Sequence, residues 1–159
     1  MNPHAHAFDA DVQEANVWIK AIDRRLNIGD PLAARHALRA VLHALRDRVG
    51  PVAAVGLAAQ MPLLVRGLFF EGWRPAAAAT EEMTREGFFT HVAQCMGPGW
   101  LLRPEETVAA VFHTMWVQLD SGEVAKLCRM LPPAIADLWP TGPDAVDLAG
   151  SAAAPIPKL

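Results

Sequence analysis

The side chains with the most chemistry to offer lie in one stretch, RHALRAVLHALRDR, residues 35 to 48. At about 100° of turn per residue, Arg35, His36, Arg39, His43 and Arg46 fall on one stripe of a helix. Leu38, Val41, Leu42, Leu45 and Val49 fall on the stripe beside it. A row of guanidinium and imidazole groups can do three things. It can cover apolar edges with its stems while the charges stay in water. It can pair with an acidic face as an ionic seam. It can hold a phosphate or an acidic partner.

A second stretch repeats the pattern with the opposite charge. The matching helix face carries Glu105, Glu106, Ala109, His113 and Trp116. The two faces predict an ionic seam, within or between chains, as one outcome. His43 and His113 occupy equivalent positions and invite a metal. Their place at the edge of the polar face, with no further His, Cys or carboxylate at ligand spacing, argues instead for flanking histidines that bond to neighbours. No metal or cofactor is expected. His4 and His6 stand near the N-terminus. Cys95 and Cys128 lack the partners of a zinc site or a disulfide framework and read as reduced thiols in helices.

GLFFEGWRP, residues 67 to 75, is aromatic-rich. Phe69 and Trp73 share one helix face. Packing between elements explains most of it, but a ring left exposed near Arg66 or Arg74 would anchor a partner, because aromatics and Arg are the usual anchors. There is no phosphate-binding loop, dinucleotide glycine pattern or nucleophile elbow. No Glu-x-x-His carboxylate pattern occurs, and no catalytic residue is assigned.

These side chains need elements to position them, and the elements occur twice. Ala37–Phe69 lies on Thr107–Trp139 without a gap, an offset of 70 residues. Ala40 meets Ala110, His43 meets His113, Leu57 meets Leu127 and Pro62 meets Pro132. Farther back Trp18 meets Phe88 and Ile22 meets Val92. Identities are few; the shared apolar phase makes the case. The repeat also settles LAAQMPLLVRGLFF, residues 57 to 70, which read alone resembles a membrane segment. The counterpart of 52–70 carries Glu123, Lys126, Arg129 and Asp137, too much charge for a bilayer span. Both copies are therefore core segments.

Each copy predicts four helices. The first set is Asp11–Leu26, Pro31–Val49, Pro51–Gln60 and Met61–Glu71. The second is Glu81–Met96, Pro104–Leu119, Ser121–Met130 and Leu131–Trp139. Asp30 is an N-cap ahead of Pro31, Gly29 and Gly50 end helices, and Pro62 breaks a helix interior. The expected organisation is a flexible N-terminus over 1–10, one repeat over 11–71, a linker over 72–80, a second repeat over 81–140 and a disordered tail over 141–159. The expected fold is all-α, about eight helices in two duplicated halves. The halves are related by an approximate two-fold and packed as one domain, because one half alone buries too little surface.

The totals agree. Of 159 residues, 52% are apolar, enough for a sizeable core. The net charge of −3 argues against general nucleic-acid affinity. The N-terminus has acidic residues and no apolar run, so the expected compartment is the cytoplasm.

ALRAVLHALRDR, LAAQMPLLVRGLFFEGWRP and LPPAIADLWP resemble a bacterial family known as domain of unknown function 2267, over about Val12 to Pro140. That resemblance implies a small, duplicated, all-helical cytosolic protein, and it carries no reaction. Family members usually place tyrosines near the positions of Phe69 and Phe70; this chain contains no Tyr. The expected function is a non-enzymatic interaction or adaptor protein, with self-association among its expected modes, that works through the second-helix stripes or the aromatic segment. The alternative is a domain binding a small acidic or aromatic ligand between its halves, in a cavity lined by Trp18, Phe89, Phe112 or Trp116.

Overall fold

The computed structural model describes residues 6–75 and 84–140. Among them are eight α-helices and no strand, as the all-α expectation requires. They are α1 Asp9–Leu26, α2 Pro31–Arg46, α3 Pro51–Ala59, α4 Leu63–Phe70, α5 Arg85–Met96, α6 Pro104–Gln118, α7 Ser121–Met130 and α8 Pro133–Ala136. The expected 141–159 tail, the linker from 76 onward, positions 81–83 of the second repeat and the first five residues lie outside the described residues.

Local chemistry accounts for most helix ends. The Asp30 carboxylate accepts from the amides of Leu32 and Ala33 at 3.0 and 3.3 Å, and Pro31 takes the first helical position. Asp120 caps α7 in the same way through Gly122 and Glu123. Asn27, with φ of 52°, is the left-handed cap that ends α1, two residues before the glycine expected there. The expected flexible start also shortens, because α1 begins at Asp9, where Asp9 and Asp11 suit the helix dipole. α2 ends at Arg46 and reaches Gly50 through a turn rather than continuing to Val49. α4 and α8 start after their prolines instead of at Met61 and Leu131. Each of those two residues precedes a proline, which pushes it out of the helical region. α8 stops at Ala136, so the fourth element of the second half is much shorter than expected.

α2 and α6 are the central helices and touch each other. α2 also packs on α1, α4 and α5, and α6 also packs on α1 and α5. The halves therefore interlock. α1 of the first lies on α6 of the second, and α5 of the second lies on α2 of the first. Exchanging the halves turns one of these contacts into the other, and α3 packs on its own counterpart α7. Burial repeats at the same offset of 70. Trp18 and Phe88, Ile22 and Val92, Leu42 and Phe112, Leu57 and Leu127, and Phe69 and Trp139 are all buried.

Aromatic rings of the second half pack tightly in this core. Phe112 stacks on Trp139 with centroids 4.4 Å apart and lies 6.1 Å from Phe88. Removing a fully buried ring of this kind costs its transfer free energy plus that of the cavity left behind. Phe112→Ala is expected to lower stability by about 3–5 kcal/mol in urea unfolding. The loss should appear in one cooperative transition, since the core elements of both halves interlock. Two separate transitions would contradict a shared core.

Candidate functional site

The C-terminal part of the basic stripe of α2, His43 and Arg46, faces the interior of the protein, and His36 is half-buried. These three satisfy carbonyls at the ends of other helices, which have no partner inside their own helix. His36 Nε2 donates to the carbonyl of Met96, the last residue of α5, at 2.8 Å. His43 Nε2 donates to the Leu68 carbonyl in α4 at 2.6 Å. One Nη of Arg46 donates to the carbonyls of Phe69 and Glu71 at 2.9 and 2.8 Å, closing the end of α4. Arg46 Nε turns to Asp47 at 3.1 Å. Cations and N–H donors at a helix C-terminus also oppose the negative end of the dipole.

This corrects two expectations. His43 and Arg46, placed on a polar flank by the helical wheel, are 7% and 6% exposed. A wheel describes one helix, and α4 and the segment after it cover the flank of α2 as well as its core face. The ionic seam with Glu105 and Glu106, expected within or between chains, is not formed within the chain among the described residues. Arg39 pairs with Glu71 at 2.9 Å, and Glu105 approaches Arg103 at 3.6 Å. Hydrogen bonding from Arg39 holds the Glu71 carboxyl below its usual range. Arg35 alone of the stripe is exposed. As a site for an external ligand, the stripe is largely occupied.

His113 is 6% exposed, and its Nε2 has no partner among the described residues. Burial, followed by the nearby Arg25 charge, lowers its pKa. Burial likewise lowers that of His43, against the opposing bond to Leu68. Trp116 stands where the first half has Arg46, and it is half-buried against the core. Phe69 is buried. Phe70 stacks at a tilt on Trp73, 5.3 Å apart, and both are half-buried. No three His, Cys, Asp or Glu side chains converge on a metal position among the described residues.

Three contributors went unnoticed in the sequence. Arg66 donates to the carbonyls of Ala58 and Met61, both at 3.0 Å, and so closes α3. Asp47 accepts from His91 Nε2 of α5 at 3.2 Å, a bond between the halves. The Asp47 and Cys95 contacts raise the His91 pKa to about 9. Burial works against ionisation of Asp47, but bonds from His91 and Arg46 hold its pKa below the ordinary value.

The cleft found between the halves is open, about 240 Å³, and lined by Arg25, Leu26, Glu106, Ala109 and Ala110. None of the four rings expected to line a ligand cavity is among them. Trp18 and Phe112 are buried in the core.

One exposed surface without an internal explanation is the apolar face of α3 and α4. α3, PVAAVGLAA, has no polar side chain. It buries Ala53, Ala54, Leu57 and Ala58 and exposes Val52, Val55, Gly56 and Ala59. Val52 is 87% exposed. The adjoining α4 exposes Leu63, Leu64 and Gly67. The counterparts in the second half are Gly122, Ala125, Lys126 and Arg129, then Pro133, Ala134 and Asp137. That face is charged, as a solvated helix face should be; the first-half face has no charge. Gly56 and Gly67 are also unexplained by the chain's own packing. A Cβ at either would meet nothing within 4 Å. Glycine inside a helix costs roughly 0.5–1 kcal/mol relative to alanine.

The model of the family described as "Uncharacterized conserved protein (DUF2267)" matches residues 15–146. The chain belongs to the DUF2267 family. The match spans all eight helices from within α1 onward, so the interlocked pair of halves falls inside the DUF2267 region. A comparison with curated proteins finds no match. No helix among the described residues is long and apolar enough to cross a membrane.

Two outcomes follow from the internal network. Arg46→Met takes the side-chain donor from the Phe69 and Glu71 carbonyls and one of two from Asp47, and should cost about 2–4 kcal/mol. Arg39→Met, at a solvated pair, should change urea unfolding far less. The second outcome concerns pH. A histidine whose pKa rises from 6.5 to about 9 on folding binds its proton more tightly in the native state. Its stabilisation is complete below pH 6.5 and is lost as pH rises through about 9. Unfolding measured at stepped pH should show this decline, and His91→Gln should remove it.

Proposed function

We propose that this chain is a non-enzymatic cytoplasmic interaction protein, built from two copies of one four-helix unit, whose docking surface is the exposed face of α3 and α4. The observation that carries the reading is the contrast between equivalent faces. Positions 56, 59 and 67 are Gly, Ala and Gly, whereas 126, 129 and 137 are Lys, Arg and Asp. The same pair of helices, in the same place in its half, is charged in one copy and apolar in the other. A contiguous exposed apolar surface usually marks an interaction site.

The two surfaces expected to bind a partner are largely occupied within the chain, which supports this assignment. Four of the five stripe residues, His36, Arg39, His43 and Arg46, already have partners within the chain. Phe70 and Trp73 lean on each other and on the core. The ligand alternative has less support, since small-molecule pockets typically enclose about 300–1,000 Å³ and the α1–α6 cleft is smaller and open.

The test is a photoreactive amino acid placed in the cell at position 55, and in a second strain at position 125, its counterpart. Irradiation is expected to give a discrete intermolecular adduct from position 55 and none from 125. Equal yields, or an adduct from 125 alone, would refute the assignment of the face.

A further inference from the structure

We infer that His113 is an acid-sensitive release for α1, its protonation loosening the α1–α6 contact while the reciprocal α5–α2 contact holds. The geometry begins on one face of α6. Glu106, Ala109, Ala110 and His113 are spaced three and four residues apart, so they share a side of the helix. The first three line the cleft opposite Arg25 and Leu26 of α1. His113 continues that face into the interior. It is 6% exposed, and its Nε2 has no partner among the described residues.

A protonated imidazole has two N–H donors and a charge to satisfy. At the counterpart, His43, the Leu68 carbonyl already takes one donor, and the Asp47 carboxylate favours the charge. His113 has neither form of support. Among the described residues, the histidines within ion-pair distance of a carboxylate are His6 and His91. From α1, Arg25 faces the ring with a like charge, and Asp23 accepts from the Asp30 amide instead. Glu106 lies about two turns back along α6. α2 and α5 also pack on α6, but their His36, Arg39, His43, Arg46 and His91 are engaged by partners of their own. α8 carries no titratable side chain, and Asp137 beyond it is exposed. A buried charge without a partner is costly.

Burial, with Arg25 adding to it, lowers the His113 pKa from 6.5. The released form therefore binds the proton more tightly. The support that this contact gives is present above pH 6.5 and is lost as pH falls through the lower folded value. His91 works in the opposite sense. It keeps its proton, and with it the Asp47 ion pair, until pH rises through about 9. Acid thus separates two contacts that the duplication makes equivalent. α1 on α6 loses support, and α5 on α2 keeps it.

Hydrogen exchange, corrected for the pH dependence of the intrinsic rates, reads each contact separately. From about pH 8 to about pH 5, α1 amides should lose protection and α5 amides should keep theirs. His113→Gln should abolish the loss. Arg25→Met, at an exposed side chain, should reduce it, because the ring then takes its proton against less opposition. Nitrogen-15 shifts of the wild-type imidazoles give a reading that needs no variant, and His113 should take its proton below pH 6.5. Titration of His113 at or above that value overturns the inference. So does equal loss of protection in α1 and α5, no loss in α1, or a loss that Arg25→Met leaves unchanged.

Discussion

A helix buried on most of its surface must find partners for every polar group it carries, and the helices around it must close their ends where water is scarce. In α2 these two demands meet in one side chain. Arg46 is a buried cation, which is costly unless fully bonded. The end of α4 presents carbonyls with no partner in their own helix. The guanidinium and those carbonyls satisfy each other. His43 adds a donor one turn earlier, and Asp47 carries the network on to His91 of the second half. Packing of α4, and the seating of α5 on α2, both run through this cluster.

The second half lacks the arrangement, and its shape differs accordingly. Trp116 replaces Arg46 and Ala136 replaces Arg66, so neither closing group is present. The matching fourth helix is only Pro133–Ala136, against Leu63–Phe70 in the first half. His113 keeps the position of His43 but not its bond. A helix of two turns, closed at its end, gives the first half a rigid α4 on which Leu63, Leu64 and Gly67 can be displayed beside α3. The internal caps and the external apolar face are thus linked by chain geometry. What differs between the halves is what sets the proposed docking surface apart.

Much of this fold was legible in the residues. Periodicity located all eight helices, and Asp30–Pro31 marked the start of α2 correctly. The offset of 70 foretold which positions would be buried on both sides. The site was less legible, for physical reasons. A helical wheel treats each helix as having one buried side, but α2 is covered on two, so His43 and Arg46 looked like flanks. Arg66 reaches back to Ala58 and Met61 across a proline turn, and no local pattern records such a reach. The charge on the counterpart of α3 was visible and served to exclude a membrane span. Its second meaning, a solvated face set against an apolar one, needed the exposure of Val52 and Val55. Those same residues had been read as core.

The central claim is that Arg46 is fixed by the carbonyls that end α4, rather than being a solvated member of a binding stripe. Nitrogen-15 spectroscopy of the arginine guanidinium groups tests it directly. The account predicts that the Nη–H signals of Arg46 are resolved and slow to exchange, with couplings through the hydrogen bonds to the Phe69 and Glu71 carbonyl carbons. An averaged, fast-exchanging Arg46 signal, indistinguishable from that of exposed Arg35, would contradict it.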